Sequence, residues 1–271
     1  MVRQPAVAGM FYPSDPAKLR SGIEGFLDRG GAVQGGLPLG IIVPHAGYPY
    51  SGAVAGQAWA RVRGQAPSLV VLFGPSHRVP FVGFALSESR TWETPLGKIL
   101  VDEESCLELE DAPCILWEAA HLEEHSIEVQ LPFLQVALAG SPTILPVVCG
   151  RARPAEIQTM AKAMEGLYHR RDGKVLFVCS TDLSHDYPYE QARSMDGRLA
   201  SALAFCDADL LDALLARGEA EACGMVGLQV MMRLARILGR ARAEVLAVTN
   251  SGEVIGDTRS RIVGYLSASI P

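Results

Sequence analysis

The chain has 271 residues, 49% hydrophobic and 20% charged, with a net charge of −6 and a pI near 5.6. That composition can bury a sizeable core, and the acidic balance without a basic stripe disfavours a nucleic-acid or anionic-membrane partner. No run of about eighteen apolar residues exists to span a bilayer. The segment MVRQPAVAGMFYPSDP lacks the basic start and apolar stretch of an export signal, so a cytoplasmic protein is expected.

In chain order, residues 1–14 read as an arm, and the segment from Asp15 to Gly30 as a helix with Asp15 as its cap. A strand is expected at 38–43, a helix starting near Ser51, and a second apolar strand at 68–73. VGFAL and TWETPLGKILV, punctuated by Gly and Pro, read as an antiparallel excursion. EEHSIEVQLPFLQVAL reads as a helix kinked at Pro132. PTILPVV is a strand, RPAEIQTMAKAMEGLYH a helix and KVLFVCS a strand. Two helices over 188–216, a third in GMVGLQVMMRLARIL, and two strands in AEVLAVT and SRIVGYLSA complete the chain. Strand–helix alternation predicts one α/β domain over 1–271, with a mostly parallel central sheet covered by helices on both faces.

Four reactive side chains directly follow apolar strands. His45 ends GIIVPH, His77 ends LVVLFGPSH, and Asp182 and His185 end KVLFVCSTDLSH. Loops leaving the carboxyl ends of such strands line one crevice, so these residues are expected to meet there. Imidazole is the commonest metal ligand and exchanges protons near neutral pH. Asp182 can orient a histidine from behind, as carboxylates at metal sites do. The helix after His45 offers free N–H groups to an anion.

In HLEEHSIEVQLPF, His125 and Glu128 are spaced to share a helix face and form a supporting pair at the crevice. His121, Glu124 and His125 also match the string of an inverted zinc-peptidase motif, but no further ligand follows. His121 and His169 are expected at the surface. Cys223 precedes a long apolar helix, where the helix dipole favours a thiolate. The six cysteines contain no CxxC pair and read as reduced thiols. No phosphate-cradling GxGxxG or GxxxxGK[ST] and no GxSxG elbow is present.

RQPAVAGMFYP, VPHAGYPYSG, GPSH, TPLG, EHSIEVQLPFL, STDLSHD, the ACG segment and GDTRSRIVGYLS, in that order, resemble the MEMO family, protein B of the AmmeMemoRadiSam group. The resemblance runs nearly end to end. It implies a fold related to the class III extradiol dioxygenases, non-haem iron enzymes in which two histidines and a carboxylate hold Fe(II). Carried over by motif, it implies His45 and His77 as metal ligands, with Cys223 near the carboxylate's place. By the same resemblance His185 would take the acid/base position. The residues themselves offer Asp182 as its catalytic companion, and His125, Glu128, Tyr48 and Ser76 as supporting or substrate-contacting candidates.

A thiolate in place of a carboxylate is a softer ligand, so iron is expected first, copper or zinc as alternatives, and no metal in a purely binding protein. Two readings stay open: an iron-dependent redox enzyme acting on a small molecule, or a non-catalytic module that binds a peptide or partner. The family name implies association with a radical-SAM protein and an AMMECR1-like protein.

Overall fold

A computed structural model describes residues 1–31, 35–109 and 112–271. The chain opens with β1 (Val2–Arg3), α1 (Pro16–Arg29), β2 (Gly40–Val43), α2 (Tyr48–Ala60) and β3 (Leu69–Pro75). Short pieces follow: β4 (Phe84–Leu86), β5 (Thr91–Thr94), β6 (Gly97–Leu100), α3 (Glu103–Glu108), β7 (Cys114–Leu116) and α4 (Ala119–Leu122). After a 3₁₀ turn at Glu128–Gln130 come α5 (Leu131–Ala137), β8 (Thr143–Cys149), α6 (Pro154–Arg170) and β9 (Val175–Ser180). The last part is β10 (His185–Tyr187), α7 (Tyr189–Ala204), α8 (Ala208–Ala216), α9 (Met225–Ile237), β11 (Glu244–Asn250), α10 (Ser251–Ile255) and β12 (Ile262–Ile270).

The heart of the main sheet is four parallel strands in the order β2-β9-β3-β8. Around it, β12 runs against β2, β10 and β11 run against β12, and β4 runs against β8, while the edge strand β7 pairs with β4 in parallel. The excursion at 82–101 divides between β4 and a separate small sheet, in which β5 and β6 form a hairpin and β1 joins β5 in parallel.

Successive strand residues face opposite sides, and this alternation splits the core in two. Val71, Phe73, Phe177 and Val147 face α6, α8 and α9 on one side. Val70, Leu72, Val178 and Val148 face α1, α2 and α5 on the other. Every residue of β3 is buried, as expected for a central parallel strand covered on both faces. No helix among the described residues is long and apolar enough to cross a membrane.

Three local expectations are corrected. Asp15 does cap α1, accepting from the Lys18 N–H at 2.8 Å, but α2 begins at Tyr48 rather than near Ser51. The expected kinked helix over 123–138 is broken instead. α4 ends at Leu122, a loop carries residues 123–127, and Pro132 lies in the first turn of α5. Proline is tolerated there because that N–H has no intrahelical acceptor to lose. His121, expected at the surface, is fully buried; its Nε2 meets the Ala85 carbonyl at 3.1 Å and its ring meets Trp92 edge-on.

Candidate metal centre

β9 lies between β2 and β3, so the loops leaving these three neighbours start at one edge of the sheet. His45 and His77 each stand two residues beyond a strand end, and their ring centroids are 5.2 Å apart. The loop between α8 and α9 brings in Cys223. One donor atom each from His45, His77 and Cys223 lies within 4.8 Å of the others, and Cys223 Sγ is 3.2 Å from His45 Nε2. Gly224 permits this approach, because a Cβ there would stand 2.7 Å from both the Ser180 carbonyl oxygen and the Thr181 Cβ.

Counting protons fixes the His45 tautomer. Ser180 Oγ donates its only hydrogen to the Ser126 carbonyl at 2.6 Å. It therefore accepts from Gln130 Nε2 at 2.9 Å and from His45 Nδ1 at 3.0 Å. With Nδ1 protonated, the Nε2 lone pair faces Cys223. Gln130 is itself held by the Pro44 carbonyl and the Trp59 indole N–H. Burial, then the neighbouring His77 and His125, hold His45 well below its ordinary pKa, so the ring is neutral and ligand-ready at pH 7.

His77 is supported differently. Glu124 accepts from its backbone N–H at 2.6 Å and from its Nδ1 at 3.0 Å, leaving Nε2 for a metal. This is the carboxylate–histidine arrangement common behind metal ligands. Burial alone would raise the Glu124 pKa, but the hydrogen bond and charge of His77, with the N–H groups of His77 and Ser126, hold it at about 2. His77, Glu124 and His125 also lie within metal-binding distance of one another. The Glu124 oxygens, however, already accept from His77, His125 and Ser126. We therefore assign Glu124 to orienting His77 rather than to a second ion.

His125 completes a ring of three imidazoles. It stacks on His77 at 4.7 Å and meets His45 edge-on at 5.5 Å. Burial lowers its pKa to about 4, and its Nδ1 is buried without a hydrogen-bond partner.

The other sequence candidates fall in different places. Asp182 accepts from the His45 backbone N–H at 2.8 Å, so it positions that loop while Ser180 orients the ring. Burial pushes the Asp182 carboxyl up to about 6. Its backbone N–H lies 3.1 Å from Cys223 Sγ. His185 stands outside the three-donor cluster, half-exposed, with Nδ1 3.9 Å from Glu221.

Glu128 does not pair with His125: its carboxylate turns to the amino-terminal arm, accepting from Ala6 N, Val7 N and the Tyr12 hydroxyl. The cause is the break in the expected helix, which removes the i,i+3 relationship. Tyr48 is buried under Tyr12 and Phe133, with its hydroxyl on the Val129 carbonyl. The start of α2 offers no free anion site at its first N–H groups. Tyr48 N donates to Phe11 O, Pro49 has none, and Tyr50 and Ser51 donate to Gly47. The thiolate expected for Cys223 is opposed by burial and by Asp182, which raise its pKa. Only a cation at the site would reverse that balance. Among the described residues, the zinc-peptidase string does not form a shared site, because His121 faces Ala85 while Glu124 and His125 face His77.

Ser76 and Cys223 border a cavity of about 1140 Å³ that runs past Val79, Phe81, Arg151 and Gln229. The residue that sequence reasoning underused is Glu124: it was visible only as part of a short string, and nothing in the spacing tied it to His77. Ser180 and Gln130 lie inside the quoted motifs STDLSHD and EHSIEVQLPFL, but nothing in their spacing ties either to His45.

A family model described as Memo-like protein matches residues 3–269. A MEMO1 family protein of Methanosarcina barkeri is 38% identical over 265 residues, covering 97% of this chain and 98% of that one. A MEMO1 family protein of Thermotoga neapolitana is 38% identical over 281 residues, covering 99% of each. A crystal structure of an uncharacterised Escherichia coli K12 protein aligns with TM-score 0.49 and 17% identity, over 76% of this chain and 86% of that chain. The end-to-end match by sequence means that this chain belongs to the Memo family.

Proposed function

We propose that the chain binds one transition-metal ion, iron(II) before copper or zinc, between His45, His77 and Cys223, and uses it in redox chemistry on a small molecule. The observation that carries this reading is the convergence of those three donors within 4.8 Å from separate loops. Both imidazoles have Nδ1 engaged from behind by a residue that leaves Nε2 free. Two imidazole nitrogens and one sulfur suit a borderline or soft divalent ion. When bound, iron would supply one-electron redox chemistry and open positions for substrate and oxygen.

The protein's own groups would handle protons around the site. His185 is accessible and close enough to influence His45 and Asp182 electrostatically. His125, neutral at pH 7, is a second acceptor beside His77.

Metal analysis of anaerobically purified protein tests the proposal. Near-stoichiometric iron, lost in both His45→Ala and His77→Ala, is the expected result. Absence of iron, copper and zinc, even after reconstitution, would overturn it.

A second reading, a non-catalytic module for a peptide or partner, is favoured by one feature. The cavity beside Cys223, about 1140 Å³, is half-open and lined by Val79, Pro80, Phe81 and Met225 together with Arg151 and Gln229, a mixed apolar and polar surface that could also take a peptide side chain. It requires ligand binding to persist after chelation, and strictly metal-dependent binding would exclude it.

A further inference from the structure

The metal centre leaves the amino-terminal motif RQPAVAGMFY unexplained. Arg3 lies in the interior with 1% of its surface exposed, an unusual place for a guanidinium so near a chain end. Its Nε donates to the His121 carbonyl at 3.0 Å and its Nη2 to the Glu124 carbonyl at 2.6 Å. Its Nη1 pairs with the buried Glu128, and its face lies over the Trp92 ring at 4.4 Å. Glu128 also accepts from Ala6 N at 2.7 Å, Val7 N at 3.0 Å and the Tyr12 hydroxyl at 2.6 Å. The arm is thus fastened to the loop that carries Glu124 and His125. At its other end the Phe11 carbonyl accepts from Tyr48 N at 2.8 Å, just beyond His45.

A planar fork can reach two carbonyls and a carboxylate at once, whereas an ammonium is a single point charge. We infer that Arg3 is a positioning residue of the site: by holding the Glu124 carbonyl it holds the carboxylate that orients the His77 imidazole. The link runs Arg3 Nη2 to Glu124 O and His77 Nδ1 to Glu124 Oε1, and leaves Nε2 as the ring's lone-pair nitrogen. For its bearing on metal the inference rests on the function proposed above; its bearing on His77 does not.

The test uses the full chain labelled with ¹⁵N-histidine and purified metal-free. In the wild type, His77 is expected as the Nδ1–H tautomer by long-range ¹⁵N–¹H correlation. Arg3→Lys should convert it to a tautomer mixture and raise the Co(II) dissociation constant about tenfold, the scale seen when support behind metal ligands is removed. Leu167→Ala, at a buried residue of α6 in the core on the other face of the sheet, supplies a destabilised control that should leave both readouts unchanged. If Arg3→Lys does not fold, Glu128→Gln should produce the same tautomer shift, because it loosens the guanidinium without removing it. An unaltered His77 tautomer in a folded Arg3 or Glu128 variant would overturn the inference, as would an equal shift in Leu167→Ala. Should wild-type protein bind no Co(II), the metal reading fails and the tautomer measurement alone decides the role of Arg3.

Discussion

Glu124 grips His77 at two points, accepting from its backbone N–H at 2.6 Å and from its imidazole Nδ1 at 3.0 Å. One carboxylate therefore sets both where the loop after β3 lies and which ring nitrogen carries the proton. Glu124→Ala is expected to weaken metal binding by about 10- to 100-fold, the usual cost of removing such a partner. A competitive chelator titration measures it, and an affinity within twofold of wild type would show that Glu124 is not part of the centre.

Ser180 does the equivalent work for His45 through a neutral hydroxyl. Ser180→Ala removes the acceptor used by His45 Nδ1 and Gln130 Nε2 and leaves the Ser126 carbonyl without its donor. Each buried group left unpaired costs about 1–3 kcal/mol. Chemical denaturation should register the loss, accompanied by weaker metal binding because the ring is free to choose its tautomer. Unchanged stability would mean that the hydroxyl's three contacts are not formed in solution.

Gly74 provides a separate test of how the loop at 123–127 is seated. A Cβ at this position in β3 would stand 2.5 Å from Ser126 Oγ and 2.7 Å from Ile127 Cγ1. Gly74→Ala must push that loop outward, at a cost of about 1–3 kcal/mol for overpacking. A fall in thermal midpoint together with reduced metal affinity is expected. Loss of stability without any change in affinity would separate the loop's seating from the centre.

Acid should destabilise the metal-free protein in two stages. Burial lowers the pKa of His45, His121 and His125 from an ordinary 6.5, the latter two to about 4. Between those values the unfolded chain takes up their protons and the folded chain does not, so stability declines as pH falls. Asp182 and Asp196, raised by burial from 3.8 to about 6, bind protons in the fold over nearly the same range and offset two of the three. The net is about one proton, or at most about 1.4 kcal/mol per pH unit. Glu124, lowered from 4.5 to about 2, then loses its contribution as pH drops through that lower window. Urea midpoints should therefore decline gently from pH 6.5 and steepen below 4.5. A profile that rises on acidification would contradict the burial assigned to these imidazoles.

The sequence by itself determined the layered α/β fold, because apolar runs with flanking helical periodicity dictate strands buried on both faces. It also placed His45 and His77 at strand ends, where the parallel order β2-β9-β3 brings their loops together. Only the tertiary structure decided what stands behind them. Glu124, Ser180, Gln130 and Arg3 act across separations of 47 residues for Glu124 to His77 and 121 for Arg3 to Glu124, and no local period encodes a contact of that kind. The same holds for Glu128, whose spacing from His125 suggested a shared helix face that never forms because the segment breaks at 123–127. Periodicity reports which face a residue presents within its own element, whereas a hydrogen-bonded support is fixed by which elements pack against it.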